Sequence, residues 1–201
     1  MEGEKSFNKL KWMNEPLTWN VSESTGLTIV SNEKQDFWRK TYYKPCHIAN
    51  DGHLMHDIFS SDENIMAETY FELTAVNQFD QAGLMVYFDE EHWIKTGIEY
   101  ADGTKRLSCV VTNDFSDWST QNFDSNKLFL RLYKIGYDFV VEAKSVTDAP
   151  WSFIRICRLH NPTNVPQVKM GLYACSPTAK GGSVNFKYVA FKNVDKYHHK
   201  F

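Results

Sequence analysis

Apolar and polar residues alternate in short runs along most of this 201-residue chain. The clearest case is residues 81–103, QAGLMVYFDEEHWIKTGIEYADG, where two alternating runs are followed by an Asp-Gly pair. Alternation with a period of two is typical of half-buried strands, and Asp-Gly is a preferred hairpin turn. Helical periodicity is nearly absent, so the pattern predicts an all-β fold, a sandwich or a barrel.

Eleven such runs are predicted as strands, separated by turn residues such as those at 102–103 and 135–136. A β-sandwich of about this length commonly forms one domain, so residues 1–201 are predicted as a single domain whose tail, about 195–201, frays. The predicted strands are 17–21, 27–31, 66–74, 82–88, 93–100, 105–112, 127–133, 137–145, 152–158, 168–174 and 184–194.

Each predicted strand divides into two faces, because successive side chains point to opposite sides of a sheet. One set, such as Ala82, Leu84 and Val86, is apolar and is expected to face the core. The opposite set mixes aromatic rings, charged groups and two glycines. Its members are Gln81, Gly83, Tyr87, Trp93, Lys95, Gly97, Glu99, Arg131 and Tyr133.

This second face has two interpretations. Aromatic rings can stack on the apolar side of a sugar while carboxylate, amide and guanidinium groups bond its hydroxyls, which favours a carbohydrate site. Alternatively the face is solvated, and its charges form cross-strand ion pairs. We expect Lys95, Glu99 and Arg131 to share one face of one sheet, with a ligand over Gly97 and with Trp93 lying less deeply.

Composition and charge exclude several classes of function. Aromatic residues make up 15% of the chain, and the net charge of −3 comes without a basic run, which argues against nucleic acid as a partner. The amino-terminal sequence lacks the apolar segment of a secretion signal, and no stretch approaches the length of a membrane span. A soluble, cytoplasmic protein is therefore expected, with its four cysteines reduced.

No motif in the sequence is a specific signal for catalysis or for metal binding. His47, His53 and His56 could supply three imidazoles to a metal, but their spacing fits no helix-borne pair, and hydrogen-bonding roles are favoured. Glycoside hydrolysis needs two carboxylates in one cleft. Glu99 is one candidate, and Asp80, Asp117 or Glu142 could be the second. No cofactor is expected, although the acidic turns at 62–63 and 89–91 could bind calcium at a sandwich edge.

Five stretches resemble the family called domain of unknown function 1349, the regulation-of-enolase-like proteins. They are DFWRKTYY (36–43), DGH (51–53), DQAGLMVYFDEEHWIKTGIEYADG (80–103), SCVVTNDFSDWS (108–119) and MGLYACSP (170–177). The resemblance implies a concanavalin A-like jelly-roll sandwich of two antiparallel sheets with a concave groove. It also implies a set of site residues matching these motifs, namely Trp38, Tyr42, His53, Gln81, Lys95, Glu99, Asn113, Asp117 and Trp118. Tyr87 and Arg131 join this set from the two-face analysis.

Three functions remain open. The leading hypothesis is a non-catalytic protein that binds a carbohydrate or sugar-like metabolite in the groove, with a role in regulating carbohydrate metabolism. The second is a carbohydrate-active enzyme that uses Glu99. The third, suggested by the family resemblance, is a regulatory protein that binds a glycolytic enzyme such as enolase through an exposed apolar patch that includes Phe115, Trp118 or Phe123.

Overall fold

Two seven-stranded antiparallel sheets and a separate two-stranded hairpin form the architecture of this computed structural model, which describes residues 3–160 and 165–199. In these residues the only helical element is a 3₁₀ turn, Phe7–Lys9. The front sheet contains, in spatial order, β1 (Lys11–Met13), β6 (His53–Ser60), β15 (Gln167–Cys175), β8 (Gln81–Asp89), β9 (His92–Ala101), β10 (Thr104–Asn113) and β11 (Phe115–Asn122).

The back sheet is ordered β14 (Ser152–Arg158), β13 (Asp138–Lys144), β12 (Lys127–Ile135), β7 (Ile65–Thr74), β16 (Ser183–Asn193), β3 (Gly26–Val30) and β2 (Thr18–Ser22). The hairpin consists of β4 (Phe37–Arg39) and β5 (Ile48–Asn50), and we call it the covering hairpin. The predicted all-β sandwich of two antiparallel sheets is confirmed.

All eleven predicted strands are present, with boundaries that differ by at most two residues. Five further strands, β1, β4, β5, β6 and β11, lack a clear apolar alternation. The strand β11 has the sequence FSDWSTQN and pairs on one side only, with β10, so it needs no continuous apolar face. Such edge strands are commonly polar, which hides them from a search for hydrophobic alternation.

The core lies between the two sheets and contains the side chains that alternation assigned to it. Ala82, Leu84 and Val86 from the front sheet pack in the same cluster as Leu130 and Leu132 from the back sheet, and all are fully buried or nearly so. Burial of this apolar surface on both inner faces is the main favourable term in folding of such a sandwich.

Lys134 departs from the expected pattern because it is fully buried. Its ammonium group donates hydrogen bonds to the carbonyl oxygens of Ser61 and Glu63 at 2.6 and 2.7 Å. Burial lowers the pKa of Lys134. These carbonyls, one on each side of Asp62, are thus directed at a protein cation. Among the described residues, no three or more His, Cys, Asp or Glu side chains are grouped to hold a metal.

The remaining expectations about the chain are met in part. All four cysteines are free, as predicted. In the described part of the chain no helix is long and apolar enough to cross a membrane. Tyr197, in the segment expected to fray, stacks edge-on against Tyr133 and donates a hydrogen bond to Glu142, while residues 200–201 lie outside the described residues. Fraying of the tail stays a prediction.

Gly83 and Gly97 face each other across β8 and β9, where the sequence analysis placed a ligand. A Cβ atom on Gly97 would lie 1.9 Å from the Ala82 carbonyl oxygen, and one on Gly83 would lie 2.0 Å from that of Thr96. The close approach that requires glycine is therefore made by the neighbouring strand, and a ligand over Gly97 stays a prediction.

We expect Gly97→Ala to lower the free energy of unfolding by about 3 kcal/mol, because the added methyl group must push two central strands apart. Urea unfolding monitored by circular dichroism measures this loss. Gly103→Ala is the matched control: nothing lies within 4 Å of its Cβ position, and only its positive φ of 78° opposes alanine, at about 1 kcal/mol. If both substitutions lowered the free energy of unfolding equally, the close approach of the neighbouring strand to Gly97 would not explain the loss.

Candidate functional site

The outer face of the front sheet is partly covered, not an open groove. Phe37 and Trp38 of the covering hairpin pack on Met85, Tyr87 and Trp93, forming a second apolar cluster separate from the core. Ser116 ties the hairpin to β11, because its hydroxyl accepts a hydrogen bond from the Arg39 amide at 2.9 Å. The hairpin thus narrows the expected groove to a pocket along its edge.

A cavity of about 410 Å³ lies in this position, within the size range of small-molecule sites. Its walls come from the covering hairpin and its loop, from the front sheet and from the segment after β15. The lining residues are Asp36, Trp38, Tyr43, Lys44, Pro45, Cys46, His47, Phe79, Gln81, Lys95, Glu99, Val110, Trp118, Pro177 and Thr178.

Four polar side chains form the floor. The ammonium group of Lys95 donates a hydrogen bond to Asp36 at 2.7 Å, although Lys95 is only 2% exposed. Burial opposes the charge on Lys95, but the carboxylates of Asp36 and Glu99 outweigh it and hold the pKa of Lys95 above its usual value. The amide nitrogen of Gln81 lies 3.4 Å from Asp36 and 3.5 Å from Glu99. Its amide oxygen is buried without a hydrogen-bond partner among the described residues.

Glu99 is held by a chain of hydrogen bonds. The Ser108 hydroxyl donates to one carboxylate oxygen at 2.6 Å, and the Trp118 indole N–H donates to that hydroxyl at 2.9 Å. Burial raises the pKa of Glu99 to about 7, while Lys95 and Ser108 act in the opposite direction. Near neutral pH this carboxyl group therefore exists in both protonation states, which is uncommon outside functional sites.

Aromatic rings form the walls above this floor. Trp38 and Tyr43 pack edge to face with ring centroids 5.5 Å apart, and the Trp38 N–H donates to the Thr41 carbonyl at 3.0 Å. Phe79 and Trp118 pack edge to face at 6.3 Å on another part of the lining. Because these contacts hold the rings in place, the cavity has flat apolar surfaces beside the polar groups of its floor.

The structure brings five of the predicted site residues together in the cavity lining: Trp38, Gln81, Lys95, Glu99 and Trp118. Six others lie outside it: Tyr42, His53, Tyr87, Asn113, Asp117 and Arg131. Each of the six has an identifiable structural environment.

Arg131 lies in the other sheet, so the prediction that it shares a face with Lys95 and Glu99 was wrong. It belongs to β12, which pairs with β7 and β13 in the back sheet. Its guanidinium group bonds Glu68 at 2.5 Å and lies 3.9 Å over the Trp151 ring. Alternation shows which side of a strand a residue occupies, but it does not show which sheet the strand joins.

Tyr87 and Trp93 do lie on the expected face of the front sheet, but the covering hairpin buries them. Phe37 packs against both rings, with centroids 6.2 and 6.1 Å away, and the Tyr87 hydroxyl accepts a hydrogen bond from Asn50 at 3.1 Å. Trp93 does not line the cavity, whereas Lys95 and Glu99 do. Trp93 is 1% exposed and lies under the hairpin, not over a rim, so the expectation that it lies less deeply than Lys95 and Glu99 is not met.

The histidines serve different roles. His53 is fully buried; its Nδ1 bonds the Asn14 carbonyl at 2.6 Å and its Nε2 accepts from the Asn32 amide at 3.1 Å, an arrangement that requires the neutral ring. Burial lowers the pKa of both His53 and His56. His53 therefore has the hydrogen-bonding role that the sequence favoured. His47 instead lies in the cavity lining.

The three other residues lie at the surface or at the sandwich edge. Asn113 bonds the backbone of Arg158 and His160, and Asp117 pairs with Arg155 at 3.4 Å. Tyr42 is 84% exposed and packs edge to face on Tyr43.

Asp36 and Tyr43 are site residues that the sequence analysis did not single out. Both lie within the matching stretch DFWRKTYY, which supplied the other candidates. Asp36 precedes a strand of three residues. This strand is too short for alternation to show which side of a sheet its side chains occupy. Its position follows from the fold of the hairpin over the front sheet.

The family model described as "Protein of unknown function (DUF1349)" matches residues 12–194. The chain is 32% identical over 176 residues to Regulation of enolase protein 1 of Saccharomyces cerevisiae, covering 87% of this chain and 85% of that protein.

Solved structures show the same fold. A functionally unknown protein from Saccharomyces cerevisiae superposes with a TM-score of 0.84 and 29% identity, covering 94% of this chain and 99% of that one. The carbohydrate-binding module CBM66 from Bacillus subtilis has a TM-score of 0.58 at 12% identity, covering 96% of this chain and 99% of that one.

Glu99 should make the protein less stable as pH rises. Its pKa is about 7 in the folded chain and 4.5 ordinarily, so its stabilising effect is complete below pH 4.5 and is lost as pH rises through 7. We expect this residue to lower the free energy of unfolding by roughly 2–3 kcal/mol between pH 5 and pH 8. Urea unfolding at pH 5 and pH 8 measures this change in the free energy of unfolding. The variant Glu99→Gln should lack the part of the change that comes from Glu99. Glu142→Gln, which changes a buried carboxylate of the back sheet, is the control and should retain it.

Proposed function

The chain belongs to the DUF1349 family of proteins of unknown function, and from that premise we propose that it binds a carbohydrate or sugar-like metabolite in the cavity beside the covering hairpin. The observation that carries the proposal is the buried floor of Asp36, Lys95, Glu99 and Gln81 beneath fixed aromatic walls.

The floor is suited to hydroxyl groups. A sugar hydroxyl both donates and accepts. The floor offers carboxylate acceptors, an ammonium donor and the amide oxygen of Gln81, which has no partner in the described part of the chain. Each buried polar group in the floor gains from a ligand that completes its hydrogen bonds, whereas an apolar ligand would leave those groups unsatisfied.

The walls suit the other side of a sugar ring. The C–H groups of a pyranose or furanose form an apolar face, and Trp118 and Tyr43 offer flat apolar surface in the same cavity. A cavity of about 410 Å³ is large enough for one or two sugar units. The fold supports this proposal, since the sandwich of similar architecture from Bacillus subtilis is described as a carbohydrate-binding module.

A second candidate function is regulation of carbohydrate metabolism through contact with a glycolytic enzyme such as enolase. The name of the yeast relative supports it, and so do exposed aromatic side chains of the covering hairpin and its neighbour β11. Tyr42 and Phe115 are 84% and 58% exposed. Phe123 is half-buried against the core and Trp118 lines the cavity, so neither adds to such a patch.

A thermal-shift screen against mono- and oligosaccharides tests the first function. We expect one sugar class to raise the melting temperature, because a ligand at 100 times its Kd stabilises the folded state by about 2.7 kcal/mol. Trp118→Ala should weaken binding by about tenfold or more, since it removes a stacking surface. Trp19→Ala, which removes a partly exposed indole from the back sheet, is the control. Absence of any shift across the screen would contradict the proposal.

Titration calorimetry with purified enolase tests the second function. If the exposed aromatic rings form the contact, the double substitution Tyr42→Ala and Phe115→Ala should lower the affinity by about tenfold or more, as expected for interface aromatic side chains. Val76→Ala, another exposed apolar position outside the hairpin and β11, should leave the affinity unchanged. No heat of binding at micromolar concentrations of both proteins would argue against a direct contact.

A further inference from the structure

The cavity holds two carboxylates close together. The amide nitrogen of Gln81 lies 3.4 Å from the Asp36 Oδ1 and 3.5 Å from the Glu99 Oε1. Two oxygens that share one neighbour at these distances are at most about 7 Å apart, given the two hydrogen-bond lengths. Pairs of catalytic carboxylates flanking a scissile glycosidic bond are separated by roughly 5 to 9.5 Å, and the upper limit for Asp36 and Glu99 falls within that range.

The two carboxylates have different partners. Asp36 accepts a hydrogen bond from the buried ammonium group of Lys95 at 2.7 Å. Among the described residues Glu99 is in no such ion pair; burial dominates and raises its pKa to about 7, so it is partly protonated near pH 7 and mostly protonated in mildly acidic solution. A carboxyl group that can carry a proton beside a second carboxylate with a different set of partners is the arrangement that general acid–base catalysis requires.

From this arrangement we propose that the cavity hydrolyses a glycosidic bond, with Glu99 as the general acid and Asp36 as the second carboxylate. The inference rests on the proposed function, because the glycoside must first occupy the same cavity. It identifies Asp36, on the segment leading into the covering hairpin, as the partner of Glu99. Asp80 and Glu142 do not line the cavity, and Asp117 pairs with Arg155 outside it.

In the reaction, Glu99 transfers its proton to the glycosidic oxygen as the bond from that oxygen to the anomeric carbon breaks, and the bonding electron pair stays on the departing oxygen. A water molecule supplies the hydroxyl group to the anomeric carbon, and its remaining proton passes to Asp36. Proton exchange with solvent restores both carboxyl groups. One glycoside and one water thus give two hydroxyl compounds, with no other reactant.

Ser108 and Trp118 act as positioning residues for Glu99. The Ser108 hydroxyl occupies Oε2 of Glu99 at 2.6 Å, and its orientation is fixed by the Trp118 N–H. The other oxygen, Oε1, has as its recorded contact the long approach of Gln81 at 3.5 Å. The proton to be donated is thereby assigned to Oε1, the oxygen with the weaker protein contact.

The test uses the full chain with 4-nitrophenyl α- and β-glycosides of glucose, galactose, mannose and xylose, measured from pH 5 to pH 9. We expect release of 4-nitrophenol from the glycoside of the sugar that gives a thermal shift, with kcat/KM falling as pH rises above about 7, because Glu99 then loses its proton. Glu99→Gln and Asp36→Asn should each lower kcat/KM by at least about 100-fold.

Controls separate catalysis from contamination and from binding. Glu142→Gln, purified in parallel, should retain native kcat/KM, because Glu142 is a carboxylate of the back sheet. Because glutamine can still hydrogen-bond a hydroxyl, Glu99→Gln should keep a measurable thermal shift with the free sugar. If a sugar binds but neither anomer of its 4-nitrophenyl glycoside is cleaved, or if Glu99→Gln cleaves as fast as the native chain, the catalytic inference is overturned while the binding function stands. If no sugar binds and none is cleaved, both fall.

Discussion

The ion pair between Lys95 and Asp36 is the interaction on which the site depends. Lys95 stands on a central strand of the front sheet, and Asp36 immediately precedes the covering hairpin, so their contact at 2.7 Å joins the two layers. Both side chains are largely removed from water, and removing one partner of a buried pair typically costs about 3–5 kcal/mol because the other charge is left uncompensated. The pair therefore fixes where the hairpin lies and consequently where the cavity opens.

The hairpin divides one face of the sheet into two environments. Under Phe37 the face is apolar and dry, and Trp93 and Tyr87 are used for packing. Beyond Trp38 the face is polar at its floor and open to solvent through the cavity. The outer face of the front sheet thus both packs against the covering hairpin and lines the cavity. Lys95 lies where these two regions meet.

Glu99 has the most unusual environment in the site. It lies beside an ion pair without being neutralised by it, because the charge of Lys95 is shared with Asp36, and burial therefore dominates its pKa. Such a carboxyl group can act as a hydrogen-bond donor or acceptor, depending on pH. The same residue consequently connects the stability of the protein with the proposed binding and catalytic functions of the cavity.

The sequence by itself determined the all-β class, the eleven alternating strands and the residues that face the core, because a period of two assigns each side chain to one side of its strand whatever its neighbours are. It also placed Lys95, Glu99 and Gln81 on a common face, since adjacent hairpin strands keep that alternation. The sheet to which Arg131 belongs was decided only by the tertiary structure, because strand pairing is set by contacts between residues distant in sequence. The role of Asp36 was decided in the same way: short β4 carries no periodic signal, and only the packing of the covering hairpin brings that carboxylate to Lys95 and Gln81.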